Sequence, residues 1–452
     1  MSDFVISRPA PPNSLRSLRL REHAINSLWF LPLCAGIAAT AGARLTLYID
    51  SLEDTASNLP QLIPATAVTN SADAATATAV AAAMVTLIAV VFTTMLVAVQ
   101  LASSQYSPRI TRIFVRARLT QVTLAVFLAT FVFALNALIG CRASADRLGP
   151  VLTMRVLYLL VLATMFTFLA FIHGMVRLLR VEYLLRTAAW ACHQAIDRSF
   201  VSGEVYQPAP AVLPSPTPLT VVGPLTRYAR FRKRTTNGPR PRVLQAIDLA
   251  GLAAAAAESN CWVELQMSVG DHAGPAAVVA LVHGDNSDTL STNWAHRFML
   301  FGTERTLLQD PGFGIRLLVD AASRALSPAV NDPTTAVQAL LRIEDLLMRM
   351  ALHPDPSGWY TDATGTLRVQ MREPGFIRLA TMGLTEILHY GANSPQVLRA
   401  LLSVSANLAS ITEGERHSFF EDYQQRCKVT ADANMPASIR AFALEEDHIG
   451  FG

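Results

Sequence analysis

Residues 74–109 read AATATAVAAAMVTLIAVVFTTMLVAVQLASSQYSPR, and between Asp73 and Arg109 the chain carries no Asp, Glu, Lys or Arg. About 20 apolar residues in a helix cross a hydrocarbon core of ~30 Å. A backbone in lipid must satisfy its own hydrogen bonds, which a helix does. The stretch therefore predicts a membrane-spanning helix near 76–102. Charge is missing in three further blocks, between Glu22 and Arg44, between Arg118 and Arg142, and between Arg155 and Arg177. These predict spans near 24–46, 119–140 and 153–175. The first is not read as a cleaved signal peptide: its apolar run is too long, and no A-x-A-like site precedes a polar start.

Composition agrees with this reading. Of 452 residues, 51% are hydrophobic and 16% charged, with a mean hydropathy of +0.32. A soluble domain carries about 25% charged residues. Such a chain is too apolar for disorder and too long for one small domain. The cysteines, at 34, 141, 192, 261 and 427, include no CxxC pair, which argues against a disulfide framework and a zinc site. The net charge of +3 is too mild to suggest a nucleic-acid partner.

Arginine sets the expected orientation. Arg16, Arg19 and Arg21 precede the first span, Arg109, Arg112, Arg116 and Arg118 separate the second from the third, and Arg177, Arg180 and Arg186 follow the fourth. From Leu45 to Pro108 there is no Lys or Arg, but there are Asp50, Glu53, Asp54 and Asp73. The positive-inside rule places both termini and the 109–118 loop in the cytoplasm. Arg142, Arg147 and Arg155, in the short outer connection, run mildly against it.

The expected organisation is a cytoplasmic segment over 1–23, a four-helix transmembrane domain over 24–176, and a helix with a Pro-rich and basic linker over 177–242. A small α/β module over 243–300 and a mainly helical domain over 301–452 follow. The linker contains QPAPAVLPSPTPL (207–219) and RYARFRKR (227–234), an extended composition and a basic run read as a solvated loop. VLQAI, CWVELQMSV and PAAVVALV read as strands, DLAGLAAAAAES as a helix, and TGTLRVQM as one later strand. Helices are expected over 313–326 and 331–352, then near 376–391, 394–411, 413–426 and 435–446. The fold class is a membrane protein: four N-terminal transmembrane α-helices, then a cytoplasmic α+β domain rich in helices.

Three stretches carry a resemblance: VAVQLASSQYSPRITRIFVR (97–116), RTLLQDPGFGIRLLVD (305–320) and ALSPAVNDPTTAVQALLRIEDLL (325–347). In these the chain resembles the bacterial membrane-protein family catalogued as domain of unknown function 2254. Tyr106 stands where that family commonly has Phe, and Thr334 where it has Phe or Tyr. The resemblance implies the architecture, four N-terminal spans and a cytoplasmic C-terminal region. It brings no activity with it, so function is read from the residues.

In the second span Thr86, Thr93 and Gln100 recur every seven residues on one helix face, and Ser103 and Ser104 continue the stripe. Neutral polar groups at this spacing line a wet path or knit helices together; packing is the plainer reading of the spacing alone. Gln105, Ser107 and Pro108 end the span, and Arg109, Arg112 and Arg116 lie at the membrane surface. In a symmetric oligomer these arginines would ring an inner mouth that favours anions, whereas in the plain reading they are positive-inside anchors. Proton-coupled pumps carry an intramembrane acid or His as relay; only His173, near the end of a span, offers one.

In the C-terminal region, Asp310, Gly312, Phe313 and Gly314 belong to a first polar corner, the turn DPGFG (310–314), and Ser327, Pro328, Asn331, Asp332 and Pro333 to a second, which together with Arg305 is the candidate ligand or subunit contact. Asp310, and Asn331 or Asp332, are placed to cap helices. Two free helix N-termini close together would instead suit a small anion or a subunit contact. HGDNSD (283–288) offers His283, Asp285 and Asp288 as metal ligands, but lacks EF-hand spacing and reads as a turn. No HExxH, GxSxG, Walker A or GxGxxG pattern occurs. The expectation is a non-enzyme with no catalytic residue, metal or cofactor, acting as an oligomeric passive ion channel or pore-like protein. Its partners would be the lipid bilayer, further copies of itself, and a small ion or anion. The alternative is a non-conducting membrane-anchored sensor or scaffold whose cytoplasmic domain binds a ligand or partner.

Overall fold

A computed structural model of the chain describes residues 29–52, 70–105, 118–143, 150–178, 180–197, 218–222, 242–274, 277–284, 297–362 and 364–445. The chain divides into two compact units, one ending at Tyr183 and one running from Leu184.

The first unit holds α1 (Phe30–Leu52), α2 (Asn70–Gln105), α3 (Arg118–Ala143) and α4 (Val151–Leu178). Each contains an apolar segment long enough to cross a membrane, of 22, 31, 24 and 27 residues in turn. The first lies later than the charge pattern predicts. Arg44 ends the charge-free block, but its side chain is exposed and α1 runs past it to Leu52. A long arginine stem tolerates this by carrying its head toward water. With 36 residues, α2 is about 54 Å long, more than a ~30 Å core needs, so it tilts or protrudes.

At the centre of this unit lies α3, with α1, α2 and α4 against it. In its apolar segment 44% of the residues are buried, against 17% in each of the others. Small side chains make the close approach: Ala43, Ala77, Ala81, Ala134 and Ala137 pack around Phe133, Met154 and Leu157. Two buried hydroxyls join α3 to α4, Thr130 Oγ1 lying 3.1 Å from Thr164 Oγ1. At one end Asp50 of α1 caps α4: the N–H groups of Leu152 and Thr153 donate to its two carboxylate oxygens at 2.9 and 3.0 Å. The Thr153 hydroxyl adds a bond of 2.7 Å to the same carboxylate. Outward, α4 exposes Leu159, Leu162, Phe166 and Leu169 at helical spacing, with Phe166 71% exposed. An apolar stripe of this kind belongs in lipid.

The second unit takes up most of α5 (Val181–Ile196) and continues through β1 (Pro218–Val222), β2 (Arg242–Ile247), α6 (Leu249–Glu258), β3 (Trp262–Leu265), β4 (His272–Ala273), β5 (Val278–His283) and β6 (Met299–Gly302). Then come α7 (Pro311–Ala325), α8 (Pro333–Ala351), β7 (Trp359–Thr361), β8 (Leu367–Met371), α9 (Phe376–Tyr390), α10 (Pro395–Ile411), α11 (Glu415–Asn434) and α12 (Ala437–Ala443). One sheet runs β1-β5-β3-β8-β7 and another β4-β2-β6. All pairs are antiparallel except β3 with β8, where Val263 faces Val369. The sheet thus takes an edge strand from the Pro-rich stretch read as linker and two strands from beyond α8. Leu244, Ile247, Leu252, Val263, Val282, Met299 and Val369 from both sheets and α6 share one apolar core.

Helices α7 to α12 form the rest of the unit. Caps reach across it: Asp355 accepts from the Phe376 N–H at the start of α9, at 2.9 Å, and from Arg416 of α11 at 2.7 Å. The same guanidinium donates to the carbonyls of Ala351 and His353 at the end of α8. The Tyr423 hydroxyl, inside the bundle, donates to the Leu384 carbonyl.

Candidate functional site

On α2 the residues that pack inward are Ala77, Ala81, Met84, Val91 and Ala98, spaced at alternating steps of three, four and seven. Thr86, Thr93 and Gln100 are exposed, as are Ala75, Ala79, Ala82 and Ala89. At about 100° per residue the polar trio falls opposite the inward stripe. It therefore turns away from the described residues of α3. Thr86 Oγ1 donates to the Ala82 carbonyl at 3.3 Å and Thr93 Oγ1 to the Ala89 carbonyl at 2.9 Å. Each hydroxyl keeps its oxygen lone pairs for a further donor. Ser103, Ser104 and Gln105 lie in the last turn of α2, their side chains outside the described part. Ser107, Pro108, Arg109, Arg112 and Arg116 lie outside the described residues.

The hydroxyls that do face the bundle interior are others. Thr120, Thr123, Thr130, Thr153 and Thr164 are buried, and the reading of the spans passed over them. Thr123, Thr130 and Thr164 donate to the carbonyl four residues earlier. The available signal was threonine inside charge-free blocks, which does not say which face turns inward.

In the C-terminal domain the first polar corner is closed on itself. Arg305 Nε and Nη2 donate to Asp310 at 2.8 and 2.9 Å, and Asp310 Oδ1 also accepts from the Phe313 N–H at 2.8 Å. The Arg305 guanidinium lies over the Phe313 ring. Gly270, with φ +94°, leaves room for the pair, since a Cβ there would stand 2.4 Å from Asp310 Oδ2. Pro311 and Gly312 already belong to α7, two residues before the expected start. Gly314 meets Cys192 of α5 so closely that a Cβ would stand 2.5 Å from the Cys192 Cβ. Burial pushes the Cys192 thiol up to about 12, which keeps it an inert, packed group.

The second corner is a helix connection. Asp332 caps α8 through the Thr335 N–H, with Pro333 in the first turn. Ser327 Oγ donates to the Arg324 carbonyl, while Pro328 and Asn331 are exposed, Asn331 with φ +49°. The expectation of two free N-termini side by side is corrected here. Both are capped by their own aspartates, and the 15 residues of α7 put about 22 Å between them.

His283 is a strand residue whose Nε2 lies 3.1 Å from Glu264 Oε2 and whose ring stacks on Trp262 at 4.1 Å. Asp285 and Asp288 lie outside the described residues. Among the described residues no group of three or more His, Cys, Asp or Glu is placed to hold a metal.

A family model described as "Predicted membrane protein (DUF2254)" matches residues 25–407. The chain belongs to this family. Membrane character implies contact with the lipid bilayer, and the four N-terminal helices are long and apolar enough to cross it. Two relatives, both uncharacterized proteins, are Rv1290c of Mycobacterium tuberculosis and Mb1321c of Mycobacterium bovis. Each is 29% identical over 340 residues, which is 73% of this chain and 62% of the relative. The alignment thus spans less than two thirds of those longer proteins. No solved structure matches the chain.

Proposed function

We propose that the protein is a homo-oligomeric passive channel in a bacterial inner membrane, with both termini in the cytoplasm and a small ion as its cargo. In this reading α2 lines the path and the C-terminal domain assembles or gates it. The observation that carries the proposal is the outward face of α2. Thr86, Thr93 and Gln100 stand on the side away from α3, where lipid gives the Gln100 amide nothing to bond and leaves the lone pairs of the two backbone-bonded hydroxyls unused. A ring of α2 helices would turn these groups onto a common wet axis. Ala79, Ala82 and Ala89 beside them let neighbouring backbones close up.

A ligand-binding sensor would draw on Arg305, and its guanidinium is engaged by Asp310. No catalytic step forms part of the proposal. Planar-bilayer recording from the purified protein, with Thr93→Leu beside it, tests it. Currents in the wild type that fall or vanish in Thr93→Leu support conduction along α2. A silent wild type across voltage, pH and salt would favour the scaffold, and an undiminished current in the variant would take α2 out of the path.

A further inference from the structure

Helix α5 begins at Val181, three residues after α4 ends at Leu178. One face is buried through Leu184, Leu185, Ala188, Ala189, Cys192 and Ile196. That face is locked to the C-terminal domain by side chains of known partner. Cys192 donates to the Pro311 carbonyl, His193 Nε2 lies 2.7 Å from Asp345 of α8, and Arg349 of α8 meets Asp197 at 2.6 Å. The other face is exposed and of a different chemistry: Tyr183, Arg186 and Trp190 follow at steps of three and four, with Arg177 and Arg180 just before them. Trp190 is 62% exposed.

From these we infer that the exposed face of α5 rests on the lipid headgroup layer of the membrane surface at which α4 ends. Three observations converge on lipid as the occupant. Continuity with α4 fixes the depth, because only Leu179 and Arg180 separate a membrane-spanning helix from α5. The side-chain types are those that settle at an interface, with an apolar ring and a polar tip on Tyr and Trp. The charges match as well, since Arg177, Arg180 and Arg186 lie where anionic headgroups attract cations. The inference needs only the membrane character of the chain and stands apart from the channel reading.

Site-directed spin labelling of the full-length protein in phospholipid vesicles tests it. Cys34 is the one exposed cysteine among five, so labels are placed at position 190 or 186 in a Cys34→Ala background. A reference label replaces exposed Gln425 of α11. Both α5 positions lie off the buried face, so the pair guards against a defect peculiar to one variant. At 190 and 186 the ratio of oxygen collisions to collisions with a water-soluble nickel chelate should be several-fold higher than at position 425. Nickel access at 190 and 186 equal to that at 425 would overturn the inference. So would exclusion of both reagents, which would mean that protein covers this face.

Discussion

Glu344 shows how one buried residue ties stability to pH. It sits on α8, 8% exposed, with its Oε1 accepting from Asn407 Nδ2 of α10 at 2.8 Å. Burial pushes its carboxyl above the usual glutamate range; the Asn407 bond opposes this, and the charge of Asp345 adds to it. The native state therefore holds this proton more tightly than the unfolded chain does. Stability is full below the ordinary glutamate value of about 4.3 and is lost as pH rises through the higher native value. Glu344→Gln stays neutral and keeps an oxygen for Asn407. Thermal unfolding at pH 4 and pH 8 should show the variant level with wild type in acid and more stable at pH 8. An equal difference at both pH values would show that ionisation is not the cause. Asp362 has the opposite sign. The Thr364 hydroxyl, then Arg368, holds its carboxyl well below the usual range, and its contribution is lost as pH falls.

Among the elements, α4 owes its start to another helix. Asp50 of α1 accepts two of the N–H groups that a helix leaves unpaired at its first turn. Replacing it with Ala should cost about 1–2 kcal/mol, in the range of a lost N-cap, with Asp50→Asn between the two. Heat denaturation in detergent reads this; an unchanged midpoint in Asp50→Ala would dismiss the cap as a source of stability. The contact also shows what the sequence told and what it did not. The spans were legible because the exclusion of charge from hydrocarbon needs no partner to be known. So were the caps of α7 and α8, where Asp310-Pro311 and Asp332-Pro333 act locally, although α7 begins two residues before the expected start. Strands β1, β4 and β7, of five, two and three residues, were not, because pairing with distant chain makes them strands. The parallel join of β3 to β8 links residues about a hundred positions apart, and no local pattern encodes it. On α2 the spacing of Thr86, Thr93 and Gln100 was plain. Which side α3 would take was not, since alanines stand on both faces of the helix.

For the molecule as a whole, membrane character rests on the family match, the four apolar helices and the exposed apolar stripe of α4. The channel reading adds that the outward face of α2 meets water in the assembled protein. Cysteine accessibility in native membranes tests that most directly, because a charged thiol reagent needs water and a thiolate to react. In a Cys34→Ala background, Thr86→Cys, Thr93→Cys and Gln100→Cys should react with a water-soluble methanethiosulfonate, while Phe166→Cys on the exposed face of α4 should not. Three α2 positions as unreactive as position 166 would place that face in lipid or dry packing and contradict the account.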